Sequence, residues 1–153
     1  MIDLTRTHDI AAPASAVWAV LADYRRDPEW RTGVLSMEPD RPGLAQAGTE
    51  VHEVLRLGGR TNHIDSVVDA VEVGRRVDWH TTDGATARGH RLVEPLDADR
   101  CRVTLGMTIT PHGLEKLMAP LFRRMIGRNL ERDLATLEGI VGTSGAGAGD
   151  EAA

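Results

Sequence analysis

The strongest constraint on the fold is a change in the spacing of apolar residues late in the chain. From Cys101 to Thr110 apolar and polar residues alternate with a period of two, which is typical of a strand with one buried and one solvated face. After Pro111-His112-Gly113 the apolar residues recur every three or four positions as far as Val141. This spacing predicts an amphipathic helix of roughly 28 residues, with a kink where Pro120 interrupts it. So wide an apolar stripe must cover another layer of structure.

The chain before Cys101 supplies that layer. A first strand is predicted over residues 3–10, followed by a helix that begins near Pro13 and a second short helical piece from Tyr24 to Trp30. Alternating segments at 49–57, 61–73, 77–82 and 86–94 then predict strands separated by glycine-containing or aspartate-containing turns. The sequence therefore predicts an α+β domain in which an antiparallel sheet packs against one long helix.

Composition narrows the function classes. The chain has 153 residues, a net charge of -5 and no basic run, so we expect no nucleic-acid partner. Its single cysteine, Cys101, excludes an internal disulfide, and no metal-binding motif occurs, so we expect no metal and no cofactor. The start lacks the apolar core of a signal peptide and no apolar run could span a bilayer, which predicts a cytoplasmic protein without membrane insertion.

The domain is predicted to occupy residues 1–141. Residues 142–153 are small, flexible and rich in glycine and alanine, which predicts a disordered tail. Monomer and homodimer both remain open.

Four segments resemble the START-like (SRPBCC) superfamily, and most closely its polyketide cyclase/dehydrase branch. The segments are residues 10–18, 21–30, 48–51 and 117–122, and the resemblance covers residues 3–141. It implies a helix-grip fold: a curved seven-stranded antiparallel sheet wrapped around a long C-terminal helix, two short helices after the first strand, and a cavity between sheet and helix. Members of the superfamily bind lipids, sterols, polyketides or hormones, and some are cyclases or co-chaperones.

A hydrophobic small molecule is the partner predicted for that cavity. The chain has only five aromatic residues, so few bulky side chains are present to fill the interior, and ligand pockets are mainly apolar. The alternation places Leu105 and Met107 inward and Trp79 on the apolar face of a neighbouring strand. The predicted ligand-binding residues are Trp30 at the rim of the opening, Trp79, Leu105, Met107, Leu117, Leu121 and Met125.

Three residues are candidates for acid–base chemistry. Glu53 shares a strand face with Val51 and Leu55, so it is either a carboxyl in an apolar pocket or a residue that reaches water or pairs with an arginine. His63 and His90 lie mid-strand and could point into the cavity, although His63 and Asp65 could equally share a solvated face. Three functions follow: binding of a hydrophobic ligand, a polyketide cyclase or dehydratase reaction, or a co-chaperone-like module that binds a partner.

Overall fold

Seven antiparallel strands form one curled sheet in this computed structural model. The strands are β1 (Ile2–Ile10), β2 (Val34–Pro39), β3 (Glu50–Leu57), β4 (Arg60–Glu72), β5 (Arg76–Asp83), β6 (Thr86–Pro95) and β7 (Cys101–Thr110). Their order in the sheet is β1-β7-β6-β5-β4-β3-β2, so the first strand pairs with the last. The register shifts between β2 and β3 and twice between β4 and β5, and such bulges increase the bend of a sheet.

The helices lie before and after this run of strands. The first connection contains α1 (Ala14–Leu21), a 3₁₀ helix (Tyr24–Arg26) and α2 (Asp27–Trp30). A second 3₁₀ helix (Gly113–Met118) leads into the long α3 (Ala119–Glu151). This arrangement confirms the helix-grip fold predicted from the sequence.

The structure describes residues 1–142 completely and the backbone alone for residues 143–151. The prediction of a disordered tail at 142–153 therefore falls, apart from Gly142, on residues whose side chains lie outside the described part of the chain.

The single helix predicted from about residue 114 is divided between Met118 and Ala119, next to Pro120. The helix begins at Ala119, which places Pro120 in the first turn, where its missing N–H has no intrahelical partner to lose. The residues before it, Gly113–Met118, form the tighter 3₁₀ helix instead. The apolar spacing continues through both segments, which is why the sequence suggested one continuous helix.

The inner face of the sheet has a closed half that forms the core. There, Val77, Val93, Cys101 and Val103 are fully buried together with Leu137 of α3. Two side-chain contacts link α3 to β1: Arg6 Nε lies 2.9 Å from Glu131 Oε1, and His8 Nε2 lies 2.5 Å from Glu138 Oε2. The closed half therefore anchors the C-terminal part of α3 firmly on the sheet.

Candidate functional site

In the other half of the inner face the apolar side chains are less completely buried. The strand register places a set of apolar side chains there, facing inward, and all of them remain partly accessible to solvent: Ile64, Trp79, Ala87, Met107 and Ile109. On α3 the equivalent turns carry Phe122, Met125 and Ile126, which are also only partly buried. We call this region the open half. Inward-facing apolar residues that water still reaches mark an interior with room for another molecule.

The indole of Trp79 is accommodated in the open half by a glycine on the neighbouring strand. Gly89 lies opposite Trp79 in the register, and a Cβ at Gly89 would lie 2.7 Å from Trp79 Cζ2. The same Cβ would lie 2.4 Å from the carbonyl oxygen of Gly106, so any larger residue at position 89 would collide with both the backbone of β7 and the ring. The absence of a side chain at Gly89 lets the indole form part of the wall.

The second 3₁₀ helix and the start of β6 border the open half, and we call this side of it the entrance. His112 Nε2 lies 2.9 Å from the hydroxyl of Thr86 at the start of β6, and Arg123 donates a hydrogen bond to the carbonyl of Asp3. These contacts hold the start of α3 at the open end of the sheet. Four apolar side chains of this segment are exposed to solvent: Leu114, Leu117, Met118 and Leu121.

A group of charged side chains lies where the open and closed halves meet. Arg91 on the inner face of β6 is only 5% exposed and makes two hydrogen bonds to the fully buried carboxylate of Asp27, at 2.9 and 2.5 Å. Arg31 joins this pair, with its Nη1 3.1 Å from Asp27 Oδ2 and 2.6 Å from Glu53 Oε2. With Asp133 of α3, these residues form what we call the buried charge cluster: Asp27, Arg31, Glu53, Arg91 and Asp133.

The cluster adjoins the open half through β3 and β4. Glu53 pairs in register with Ile64 of the open half, and Arg31 is its most accessible member, with 22% of its side chain exposed. Arg31 bridges two carboxylates and still reaches solvent. Of the two arginines in the cluster, it is therefore the one better able to donate a hydrogen bond to a ligand. Burial opposes the charge on Arg31, but Glu53 and Asp27 outweigh this effect and raise its pKa, so it stays cationic.

Asp133 differs from the other carboxylates of the cluster. It is 4% exposed and accepts hydrogen bonds from the backbone N–H and the hydroxyl of Thr32, at 2.6 and 2.7 Å. Burial raises the pKa of Asp133, and the bonds from Thr32 and the charge of Arg31 only partly oppose this effect. A carboxyl whose protonated form is favoured by its surroundings can donate or accept a proton nearer neutral pH.

Two aromatic side chains enclose the guanidinium of Arg91. Its Cζ lies 4.2 Å from the ring centre of Tyr24 and 5.3 Å from that of Trp30, which are cation–π distances. The Tyr24 hydroxyl and the Trp30 indole N–H are buried and have no hydrogen-bond partner among the described protein atoms. Buried polar groups are normally paired. These two groups could therefore donate hydrogen bonds to a polar atom that entered the interior.

Several of the predicted site residues lie on the inner face of the sheet. Trp79, Leu105 and Met107 face inward, and Leu105 is buried at the edge of the closed half. Glu53 also faces inward and is paired with an arginine, one of the two alternatives considered for it. Met125 is partly buried on α3. Whether these residues contact a ligand remains a prediction.

Other predicted positions are wrong. Trp30 is 2% exposed, so it lies beneath the buried charge cluster rather than at a rim. Leu117, in the 3₁₀ helix, and Leu121, in the first turn of α3, are 81% and 59% exposed, so neither side chain packs against the sheet. They lie beside the entrance and do not face Met107.

His63 and His90 do not point into a cavity either. Both lie on the outer face, because the register pairs His63 with Val54 and His90 with Gly106 and Asp78. The His90 ring packs over Gly106, and burial, with a contribution from Arg76, lowers the pKa of His90. The prediction that either imidazole acts inside the cavity is therefore wrong.

The outer face carries a groove of about 580 Å³ across β1, β7, β6, β5 and β4. Most of its charged side chains are paired with one another. Arg76 Nε lies 3.0 Å from both carboxylate oxygens of Asp78, and His80 Nδ1 lies 2.7 Å from Asp69 Oδ1. The groove is thus a self-paired polar surface and fits an apolar ligand poorly.

Two residues of the cluster that sequence reasoning missed, Arg91 and Asp133, had a detectable signal. Arg91 occupies an inward position between Gly89 and Val93 on β6, and Asp133 interrupts the apolar stripe of α3 beside Leu134. When a charged residue occupies a position that the apolar spacing assigns to the buried face, we expect it to be paired with another polar residue in the interior.

Comparison with known proteins agrees with the fold. The chain belongs to the family described as polyketide cyclase / dehydrase and lipid transport, whose pattern it matches over residues 1–141. Among solved structures it is similar to the Zhui aromatase/cyclase from Streptomyces sp. R1128, at 21% identity with a TM-score of 0.77, covering 91% of this chain and 92% of that one.

It is also similar to a START superfamily protein from Mycobacterium smegmatis, at 14% identity with a TM-score of 0.76, covering 94% of this chain and 99% of that one. No curated protein matches the chain significantly in sequence.

Among the described residues, no helix is both long enough and apolar enough to cross a lipid bilayer. Within the same residues, no three histidine, cysteine, aspartate or glutamate side chains converge in a way that could hold a metal ion.

Proposed function

We propose that this protein binds a hydrophobic small molecule, such as a lipid or a polyketide, in the open half. The observation that carries the proposal is the partial exposure of inward-facing apolar residues, with Trp79, Met107 and Ile109 as the wall. Membership of a family described by cyclase, dehydrase and lipid-transport functions supports a ligand of this class. The apolar part of the ligand would displace water from these side chains, which is favourable in proportion to the area covered.

The polar end of the ligand would lie towards Arg31. This residue adjoins the open half through Glu53 and Ile64 and keeps 22% of its side chain accessible. Its guanidinium can donate to a carbonyl, carboxylate or phenolate oxygen without leaving its own carboxylate partners. The ligand would therefore be amphipathic, with one oxygen-bearing end.

The exposed apolar residues beside the entrance fit the same proposal. Leu114, Leu117, Met118 and Leu121 form an exposed apolar patch, the feature expected of a partner-binding module. Their position at the open end of the sheet supports a role in ligand entry instead. Replacing Leu117 and Leu121 together by serine should slow ligand uptake and leave the melting temperature unchanged, since neither side chain is buried. Unchanged uptake in the double variant would contradict a role in ligand entry and would favour partner binding as the role of the patch.

Native mass spectrometry of freshly purified protein, followed by solvent extraction, tests the binding directly. Blocking the open half supplies the control. Ala87→Trp adds an indole on the inner face, whereas Arg88→Trp adds the same group one position further on the outer face. Ala87→Trp should abolish co-purified ligand and binding of the fluorescent probe 1-anilinonaphthalene-8-sulfonate, and Arg88→Trp should not. Equal binding by both variants, with both still folded, would refute the proposal.

A cyclase or dehydratase reaction is the second candidate, and Asp133 favours it. An intramolecular aldol step moves a proton from carbon to a base, forms a carbon–carbon bond at a carbonyl and returns a proton to the new alkoxide; loss of water then completes it. Such a sequence needs no oxidant and no cofactor, only a group that exchanges protons. The raised pKa of Asp133 suits that role. On a substrate found by extraction, Asp133→Asn should abolish turnover with binding retained. Retained turnover would remove Asp133 from the mechanism, and no turnover by the natural sequence would remove the enzyme candidate.

A further inference from the structure

Two histidines on the outer face of the sheet are brought together by the β3–β4 register. His52 lies directly opposite Asp65, and His63 lies opposite Val54, two positions further along β3. His52 and His63 are therefore diagonal neighbours on one face, within reach of each other's side chains. All three side chains are substantially accessible to solvent. They lie on the opposite side of the sheet from the open half, so this group is independent of the proposed ligand site.

The three side chains form a chain of contacts. Asp65 Oδ1 lies 2.5 Å from His52 Nδ1, and His52 Nε2 lies 3.4 Å from His63 Nδ1. The imidazole rings are stacked, with centroids 5.5 Å apart and an angle of 27° between their planes. Because the carboxylate can only accept, His52 carries its proton on Nδ1, which leaves its Nε2 as a lone-pair donor directed towards His63.

This nitrogen–nitrogen separation suits a metal ion. Two imidazoles that bind one tetrahedral ion at about 2.0–2.1 Å have their ligating nitrogens about 3.3–3.4 Å apart. The observed distance is 3.4 Å. A small rotation of the exposed His63 ring would turn its Nδ1 lone pair towards the same point as that of His52, and the Nδ1 proton of His63 would move to its solvent-facing Nε2.

The carboxylate adds a feature that an accidental histidine pair lacks. In metal sites the imidazole nitrogen that does not bind the ion commonly donates its proton to a carboxylate, which fixes the tautomer and the ring orientation. Asp65 already holds His52 in this way. Elsewhere on the outer face, His80 has the same kind of partner in Asp69 but no second imidazole beside it among the contacts described.

We propose that His52 and His63 form a binding site for a divalent late transition metal of the zinc, nickel or copper type, with Asp65 orienting His52. Imidazole nitrogens suit these ions, whereas Mg²⁺ and Ca²⁺ require oxygen ligands. The protein supplies two ligands, and water or an external donor completes the coordination. The site is thus open, unlike the closed four-ligand centres that hold structural zinc.

Isothermal titration calorimetry with ZnCl₂ and with NiCl₂ tests the site, on untagged protein at about pH 7.5, where imidazoles are neutral ligands. We expect one equivalent of metal to bind to the natural sequence. His52→Gln and His63→Gln should each remove it. Asp65→Asn should weaken it about 10–100-fold, the usual effect of losing such a partner. His80→Gln is the matched control and should bind as the natural sequence does, and MgCl₂ should give no heat of binding.

A second measurement separates binding at this pair from binding elsewhere on the surface. In long-range ¹H–¹⁵N spectra of the histidine rings, Zn²⁺ should shift His52 Nε2 and His63 Nδ1 and leave the nitrogens of His80 in place. Since the side chains are exposed, none of the variants should change the far-ultraviolet circular dichroism spectrum. Metal binding that survives His63→Gln, or that is lost equally in His80→Gln, would overturn the proposal.

Discussion

Replacing Arg91 by methionine should destabilise the protein strongly, although methionine fits an apolar core. Arg91 makes two hydrogen bonds to Asp27 and one, at 2.8 Å, to the carbonyl of Leu21. Without the guanidinium, the fully buried carboxylate of Asp27 would retain only Arg31, at 3.1 Å, among its two arginine partners. The Leu21 carbonyl would lose its bond from Arg91, and the rings of Tyr24 and Trp30 would lose their cation.

The magnitude follows from this burial. Removing one partner of a buried ion pair typically costs about 3–5 kcal/mol, because the other charge is left uncompensated. Domains have total stabilities of about 5–15 kcal/mol, so Arg91→Met would remove a large share. For a chain of this length about 1 kcal/mol corresponds to roughly 2–4 °C, which predicts a fall in melting temperature of roughly 6–20 °C. Urea unfolding followed by circular dichroism measures the free energy directly.

A surface pair provides the comparison. Arg102 and Asp9 form an ion pair at 2.7 Å on the outer face with about half of each side chain exposed, so Arg102→Met should cost less than about 1 kcal/mol. In the double variant Arg91→Met with Asp27→Leu, the loss should be smaller than the sum of the two single losses, because no unpaired charge remains. Equal small losses for Arg91→Met and Arg102→Met, or strict additivity in the double variant, would refute the reasoning.

Three further predictions concern individual positions. Because burial raises the pKa of Asp133, its native state binds the proton more tightly than the unfolded chain; stability should fall as pH rises from about 4 through the raised value, and Asp133→Asn should lack this fall when unfolding is measured across pH. Gly33→Ala should lower the melting temperature more than Gly43→Ala: both glycines have φ near +80°, but only at Gly33 would a Cβ collide with the carbonyl oxygen of Arg56. Leu137→Ala should cost about 2–5 kcal/mol in urea unfolding, since Leu137 is fully buried and the cavity would not collapse; a loss below about 1 kcal/mol would contradict the close packing of the closed half.

Most of the fold could be predicted because the sheet and α3 each bury one face, and a buried face leaves a period in the sequence. The strand from Cys101 to Thr110 matches its predicted bounds. β2 (Val34–Pro39) was not identified as a strand from its own residues, because it is short and only Val34 and Met37 are buried. A register shift between these two residues breaks the alternation that would have marked them.

Site residues could be predicted only where the alternation of a strand or the spacing of a helix decides which face they occupy. Trp79 and Met107 were placed inward because alternation decides the face of a strand. His63 and His90 were misjudged because the choice of face for one residue depends on which partners it meets across the sheet. Trp30 was misplaced for a related reason: its neighbour Arg91 is distant in sequence, and only the fold brings the guanidinium against its ring.

The pairing of β1 with β7 has a consequence for how the chain folds as it is made. Ile2 pairs with Ile109 and Ile10 with Cys101, so the first strand has no neighbour in the sheet until roughly a hundred later residues have been synthesised. At about 5–20 residues per second, a typical rate of translation, this wait lasts roughly 5–20 s. During that time β2 to β6 can pair in sequence as hairpins, whereas β1 stays single and the surface that α3 will cover stays wet. The nascent chain therefore depends on its last third to close a sheet that its first ten residues begin.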